Sequence, residues 1–374
     1  MSNCAEAPIR VGSAYLPDRK RGAVDDAGGR LRRMGMVAER CRLQLLSGPP
    51  AGSPEDVAQR LLAIQAQDPR GARLAVRART DGLVAADVDR ALTQDRSLVV
   101  DWLNRGTLHL VRVEDLPLLH ALTTPQLHTG NTRRLGQEGV SPDQAERGTQ
   151  VVVEALSDGP RTRPELRELL RAAGIPVAGQ ALVHLLMRTC LKGLAVRGPV
   201  VGAEHAYVLV RDWLGFSLAP LPDRDAALAE LARRYLGGHG PATDRDLARW
   251  AGISLTDARR GLGQLRGLDE RGNGLLALSA ATALQPPPPR LLGPFEPLLL
   301  GWVDRAPVVG GRGDLVTSNG VFRPFALVEG RAAATWSLAD GTVHPFEPMR
   351  PAISTALSAE AADVRRFLGS AHYR

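Results

Sequence analysis

Three stretches of the chain open a helix in the same way. Ser53-Pro54-Glu55-Asp56-Val57, Thr162-Arg163-Pro164-Glu165-Leu166 and Thr243-Asp244-Arg245-Asp246-Leu247 each place a hydroxyl residue three positions before an acid, with an apolar residue next. The hydroxyl suits the backbone N–H of the third helical residue, and the acid reaches back to the cap, as in a capping box. In the last two stretches Ala173-Gly174-Ile175 and Ala251-Gly252-Ile253 then end that helix. Gln180 to Arg188 and Leu255 to Leu265 read as a second helix. Helix, glycine turn, helix is the helix-turn-helix pattern.

Hairpins follow. Leu194 to Arg197 and Ala206 to Val210 form a two-stranded wing across Gly198-Pro199. Leu98 to Leu103 and Thr107 to Val111 form another across Asn104-Arg105-Gly106, while the third wing is poorly marked. The expected fold class is mainly α with small β wings: three tandem winged-helix units plus a C-terminal small β-rich domain. The expected boundaries are a mobile basic arm at 1–30, winged helices at 31–140, 141–220 and 221–285, and the β-rich domain with a final helix at 286–374. Pro286 to Pro289 is a stiff spacer. Beyond it, Leu298 to Trp302, Val321 to Leu327 and Ala332 to Trp336 read as strands, Glu329-Gly330 as a hairpin turn, and Ala359 to Leu368 as a helix.

A net charge of +7 favours a polyanionic partner. Only Lys20 and Lys192 are lysines, and arginine forks onto phosphate and base edges better than lysine does. The three cysteines are scattered and the eight histidines show no ligand spacing, so neither a metal nor another cofactor is expected. No apolar run approaches a membrane span and the start lacks a signal-peptide core, so a cytoplasmic protein without a membrane partner is the expectation.

Gln65-Ala66-Gln67-Asp68-Pro69 reads as a helix end, because Pro69 cannot extend a helix and pushes Asp68 toward extended geometry. In a continuous helix Gln65 and Gln67 would face nearly opposite sides; an opened last turn lets both amides converge. Glutamine has no useful pKa for acid–base work. Converging neutral amides suit holding a water or an uncharged edge rather than taking a proton. Asp68 fits a turn before proline better than a role beside a cationic sugar. Arg73, Arg77 and Arg79 would share one face of a strand, with Arg70 beside them, which suits a phosphate-contacting stripe and a solvated face equally. Arg105 sits at a hairpin tip. Thr107, His109 and Val111 share a strand face.

These segments carry a resemblance. Ile64 to Arg70, Ala72 to Arg79, the run Trp102-Leu103-Asn104-Arg105-Gly106-Thr107-Leu108-His109, Phe295-Glu296-Pro297 and Asn319 to Pro324 together resemble the bacterial AlkZ/YcaQ-type DNA glycosylases. The resemblance covers roughly residues 31–370. It implies three winged helices curved around a DNA channel, a small β domain, and excision of bulky or crosslinking alkyl adducts. The catalytic pair carries over to Gln65 and Gln67, with Asp68 and His109 as candidates for electrostatic support. Arg70, Arg73, Arg77, Arg79, Arg105, Thr107 and Arg323 are candidates for contacting DNA. No role carries over to Glu296. The implied partner is double-stranded DNA bearing alkylated purines, and a monomer is the simplest expectation. The charge and repeats alone equally suit a non-catalytic winged-helix regulator, or a protein that sequesters a genotoxic compound.

Overall fold

The computed structural model of the chain describes residues 27–202, 204–278, 285–312, 315–317 and 320–372. Most of the expected basic arm therefore lies outside the described residues. The first helix, α1, spans Ala27–Leu43.

One order of elements then occurs three times: a helix, a short strand, two helices and a hairpin. In the first unit these are α2 (Pro54–Leu61), β1 (Ile64–Gln65), α3 (Pro69–Arg77), α4 (Ala85–Thr93), β2 (Leu98–Leu103) and β3 (Thr107–Arg112). Helices α5 (Leu116–Thr123) and α6 (Leu127–Gln137) lead to the second unit. There α7 (Pro142–Ser157) is followed by Arg161, which bridges to Tyr207, and by α8 (Arg163–Ala172), α9 (Ala181–Leu191), β4 (Ala195–Val201) and β5 (Glu204–Leu209). After α10 (Val210–Leu214), the third unit contains α11 (Arg224–His239), a bridge from Ala242 to Leu276, α12 (Asp244–Ala251), α13 (Leu255–Gly263), β6 (Asp269–Arg271) and β7 (Leu275–Ala277). In each unit the short strand or bridge pairs with the last strand of the hairpin, as in a winged helix.

This register corrects the reading of the first capping stretch. Ser53 does cap a helix, its hydroxyl accepting from Asp56 N at 3.1 Å. That helix, however, is the first of its unit. Thr162 and Thr243 cap the helix after the short strand, and the residue in that place in the first unit is Asp68, at the head of α3.

The first two wings are not separate. They join through Val100 and Arg197 into one five-stranded sheet in the order β1-β3-β2-β4-β5. Every residue of β2 is buried, so both of its faces carry core. Leu98, Val100 and Trp102 pack into one apolar cluster, and Val99 and Leu103 into the other. The third wing is the small β6–β7 pair.

The C-terminal part holds β8 (Arg290–Leu292), α14 (Pro297–Leu300), α15 (Ala306–Val309), β9 (Phe325–Val328), β10 (Arg331–Trp336), β11 (Val343–Pro345) and α16 (Pro351–His372). Its strands form one antiparallel sheet in the order β11-β10-β9-β8. The expected strand at 298–302 is largely helix instead. Glu296 accepts from Leu298 N at 3.2 Å, and Pro297 starts the helix with its fixed φ. The Glu329-Gly330 turn is present, both residues having positive φ.

Candidate active site

Gln65 and Gln67 do not end a helix. Helix α2 stops at Leu61, and the chain leaves it through Leu62 in a positive-φ conformation. Gln65 then lies on β1 opposite His109, and Ala66 continues the pairing by donating to Leu108 O at 2.7 Å. In extended chain, residues two apart share a face. Both amides therefore point the same way, and Gln65 Nε2 donates to Gln67 Oε1 at 2.6 Å. Gln65 is buried and Gln67 half-buried.

Pro69 begins α3 rather than ending a helix. Asp68 adopts the expected extended geometry and caps α3, its Oδ1 accepting from Arg70 N at 2.8 Å and Gly71 N at 3.2 Å. This fixes the end of the Gln-Ala-Gln segment. Helix α3 is in turn pressed against the C-terminal part. A Cβ on Gly71 would lie 2.5 Å from Pro294 O, so only glycine permits that approach.

The expected arginine stripe is absent because 69–77 is helix. Arg73 is buried and pairs with Asp89. Arg77 is buried against Glu360 and Asp363 on α16, both at 2.8 Å. Arg79 is buried against Glu296, and also donates to Gln44 O at 2.7 Å and Ala75 O at 2.8 Å. Arg77 and Arg79 clamp the first unit to the C-terminal part, Arg73 is paired within its own unit, and none of the three is offered to phosphate. The same contact gives Glu296 its place as the buried partner of Arg79. Arg70 is half-exposed beside Asp68, and Arg323 is exposed.

The β2–β3 hairpin does not project into solvent. Its turn docks on the C-terminal end of α12, where Gly252 takes φ +71° and a Cβ would sit 2.5 Å from Asn104 O. Arg105 turns inward there. It donates to Trp250 O and, at 3.2 Å, to Gln65 Oε1. A cation at a helix C-terminus is favoured by the exposed carbonyls and the helix dipole. Burial, with Arg249 and Arg305 nearby, lowers the Arg105 pKa to about 10. It therefore stays charged at neutral pH.

Across the sheet, Gln65, His109 and Asp101 stand in register on three adjacent strands, so their side chains share a face. His109 Nδ1 lies 2.8 Å from Thr107 O. A carbonyl only accepts, which places the proton on Nδ1 and leaves Nε2 with its lone pair. Burial, reinforced by Arg105, pushes the His109 pKa down to about 3, so the ring is neutral. Asp101 is wholly buried and desolvation raises its carboxyl well above the usual range. Thr107 is buried within the sheet, which removes it from direct contact with a DNA groove.

Three further residues gather here without any local signal in the sequence: Arg249, Trp250 and Arg305. Arg249 and Trp250 arrive because α12 meets the hairpin. Arg305 arrives because Val303 N donates to Asp246 Oδ1 at 2.8 Å, holding its segment on α12.

The folded chain is thus a tandem winged-helix protein with a pair of bonded glutamines held by an arginine. Residues 58–367 match the AlkZ-like DNA glycosylase family, and the chain belongs to it. It is accordingly an N-glycosyl hydrolase of DNA repair. It is 30% identical over 359 residues to an interstrand DNA cross-link repair glycosylase of Streptomyces sahachiroi, covering 89% of this chain and 96% of that protein. The solved structure of the S. sahachiroi DNA glycosylase AlkZ is similar with a TM-score of 0.72 and 28% identity, over 89% of this chain and 95% of that one. Among the described residues, no helix is long and apolar enough to cross a membrane, and no group of side chains has the makings of a metal site.

Proposed function

We propose that the chain removes bulky purines alkylated at guanine N7 or adenine N3 from double-stranded DNA, with Gln65 and Gln67 holding the attacking water. The observation that carries this reading is the convergence of two neutral amides, Gln65 Nε2 on Gln67 Oε1 at 2.6 Å. An amide oxygen accepts two hydrogen bonds. Gln65 Oε1 takes one from Arg105, and Gln67 Oε1 takes one from Gln65. Each oxygen keeps one acceptor position, so one water can donate to both and aim its own lone pair at the sugar C1′.

Neither amide takes a proton at neutral pH. The leaving base must therefore depart without protonation, which an N7- or N3-alkylated purine does because it already carries positive charge. Positioning then supplies most of the catalysis. Hydrolysis without a lyase step follows from the lysines: Lys192 is tied to Glu146 at 2.7 Å, and no other lysine lies among the described residues to form a Schiff base. The reading takes the protein as a cytoplasmic monomer, serving either general alkylation repair or self-resistance to a DNA-alkylating natural product. His109 supports Gln65 from the neighbouring strand, and Arg70 and Arg323 are left as candidate DNA contacts.

The test is base release from duplexes carrying a bulky N7-alkylguanine, read as alkali-labile strand breaks. Release of the alkylated base with ordinary bases retained supports the proposal. Retention of undamaged duplex with no release from any adduct would instead support a non-catalytic regulator.

A further inference from the structure

We infer that Arg249 and Arg305, with Arg105 behind them, grip one backbone phosphodiester of the DNA beside the nucleotide being excised. The inference rests on the proposed reading of Gln65 and Gln67 as the reacting centre.

The three arginines come from three parts of the chain and meet at the end of α12. Arg105 Nη1 donates to Trp250 O and lies 3.4 Å from Arg249 O. Asp246 and Arg249 are three residues apart on α12 and so share a face. Asp246 holds Val303 N on that face, and Arg305 follows two residues later. Arg305 is anchored by its own Nε on Leu299 O at 2.7 Å, with its guanidinium 5.2 Å from the Phe322 ring centre.

They are not neutralised by pairing. None of the three makes an ion pair among the described residues. Asp304 is the acid that acts on Arg305, and Asp246 is occupied by Thr243 and Val303. Arg105 has the helix carbonyls, whereas Arg249 is exposed and has no bonded side-chain partner among the described residues. The mutual repulsion is felt: after burial, Arg249 is the next cause lowering both Arg105 and Arg305.

Clustered guanidiniums, one of them bonded to Gln65, are hard to reconcile with a reaction that builds positive charge on a sugar. They would raise its barrier. An intervening phosphodiester reverses the sign: it neutralises the arginines and leaves the sugar next to a bound anion. Arginine forks match a phosphate's oxygens, and their fixed anchors set its position relative to Gln65. The arginines are therefore positioning residues, and the DNA itself completes the electrostatics.

The test combines Arg249→Ala, Arg305→Ala and the double variant with duplexes in which one phosphate at a time around an alkylguanine is a neutral methylphosphonate. Affinity is measured over a range of salt. One methylphosphonate position should weaken the wild type by roughly tenfold and leave the double variant unaffected. The double variant should also show a salt slope shallower by about one. Arg305→Lys keeps the charge and should retain part of the affinity. Equal weakening of wild type and double variant at every position, or an unchanged salt slope, would overturn the clamp. Base release by the wild type on all-phosphate duplex is scored separately. Its failure would refute the excision reading, while the phosphonate pattern would still decide the clamp.

Discussion

Gln65 and Gln67 form one unit: the amide of the first donates to the amide oxygen of the second at 2.6 Å, and Arg105 holds the first from behind at 3.2 Å. The pair is fixed at both ends, by strand pairing at Gln65 and by the Asp68 cap of α3 just after Gln67. A water clamp needs that rigidity, since geometry is all that two neutral amides contribute.

Arg105 should therefore matter to rate through Gln65. Arg105→Lys keeps a charge but cannot fork to both Trp250 O and Gln65 Oε1. Loss of a charge-assisted hydrogen bond predicts an excision rate lower by about tenfold or more. Single-turnover kinetics at saturating enzyme check this, with circular dichroism reporting an intact fold.

Gly252→Ala tests the docking that brings Arg105 inward. The added Cβ meets Asn104 O at 2.5 Å, and φ +71° is unfavourable for alanine. A loss of about 1–3 kcal/mol in urea unfolding is expected, with a fall in excision rate because the hairpin must shift.

Much of the architecture was legible in the sequence. The hydroxyl–acid stretches mark helix starts, and Gly174 and Gly252 mark the helix-turn-helix bends, because caps and positive-φ turns are local chemistry. The Gln-Ala-Gln segment stands out in the sequence but its conformation does not: a proline that cannot extend one helix is equally at home in the first turn of the next, which is where Pro69 sits. The arginine series looked like a DNA-facing stripe for the same reason. Whether an arginine meets phosphate or carboxylate is decided by partners as distant in sequence as Glu296 and Glu360, which local spacing does not contain. Arg249 and Arg305 were invisible for the same cause.

The buried Arg79–Glu296 pair joins the first unit to the C-terminal part. Glu296→Ala leaves a buried guanidinium without its anion, predicting a loss of about 3–5 kcal/mol in denaturant unfolding. Replacing both residues by apolar side chains should recover much of it. A loss in the single variant no larger than in an exposed pair such as Arg233–Glu230 would contradict the assignment.

The pH dependence separates rate from stability. Neither His109, near pH 3, nor Arg105, near pH 10, changes charge between those limits, so neither gives the excision rate a step from about pH 5 to 9. Stability should instead fall in acid. His109 and His239 are both held down to about 3 by burial, while the unfolded chain protonates them near pH 6.5. Between those limits the unfolded state binds more protons, so stability declines as pH falls, by about 1.4 kcal/mol per pH unit for each. His205, also lowered by burial, adds to this. Asp101 opposes it, since its raised carboxyl keeps a proton that the unfolded chain loses above its ordinary value. The net direction remains loss in acid, and urea midpoints from pH 7 to pH 5 measure it.

The most direct test is single-turnover release of a bulky N7-alkylguanine by Gln65→Ala and Gln67→Ala. Removing one preorganised polar group from a reacting centre predicts a rate about 10²–10³-fold lower for each variant, with duplex affinity little changed. Because the amides act as one unit, the double variant should be scarcely slower than either single one. Release at the wild-type rate by both single variants would contradict the water clamp.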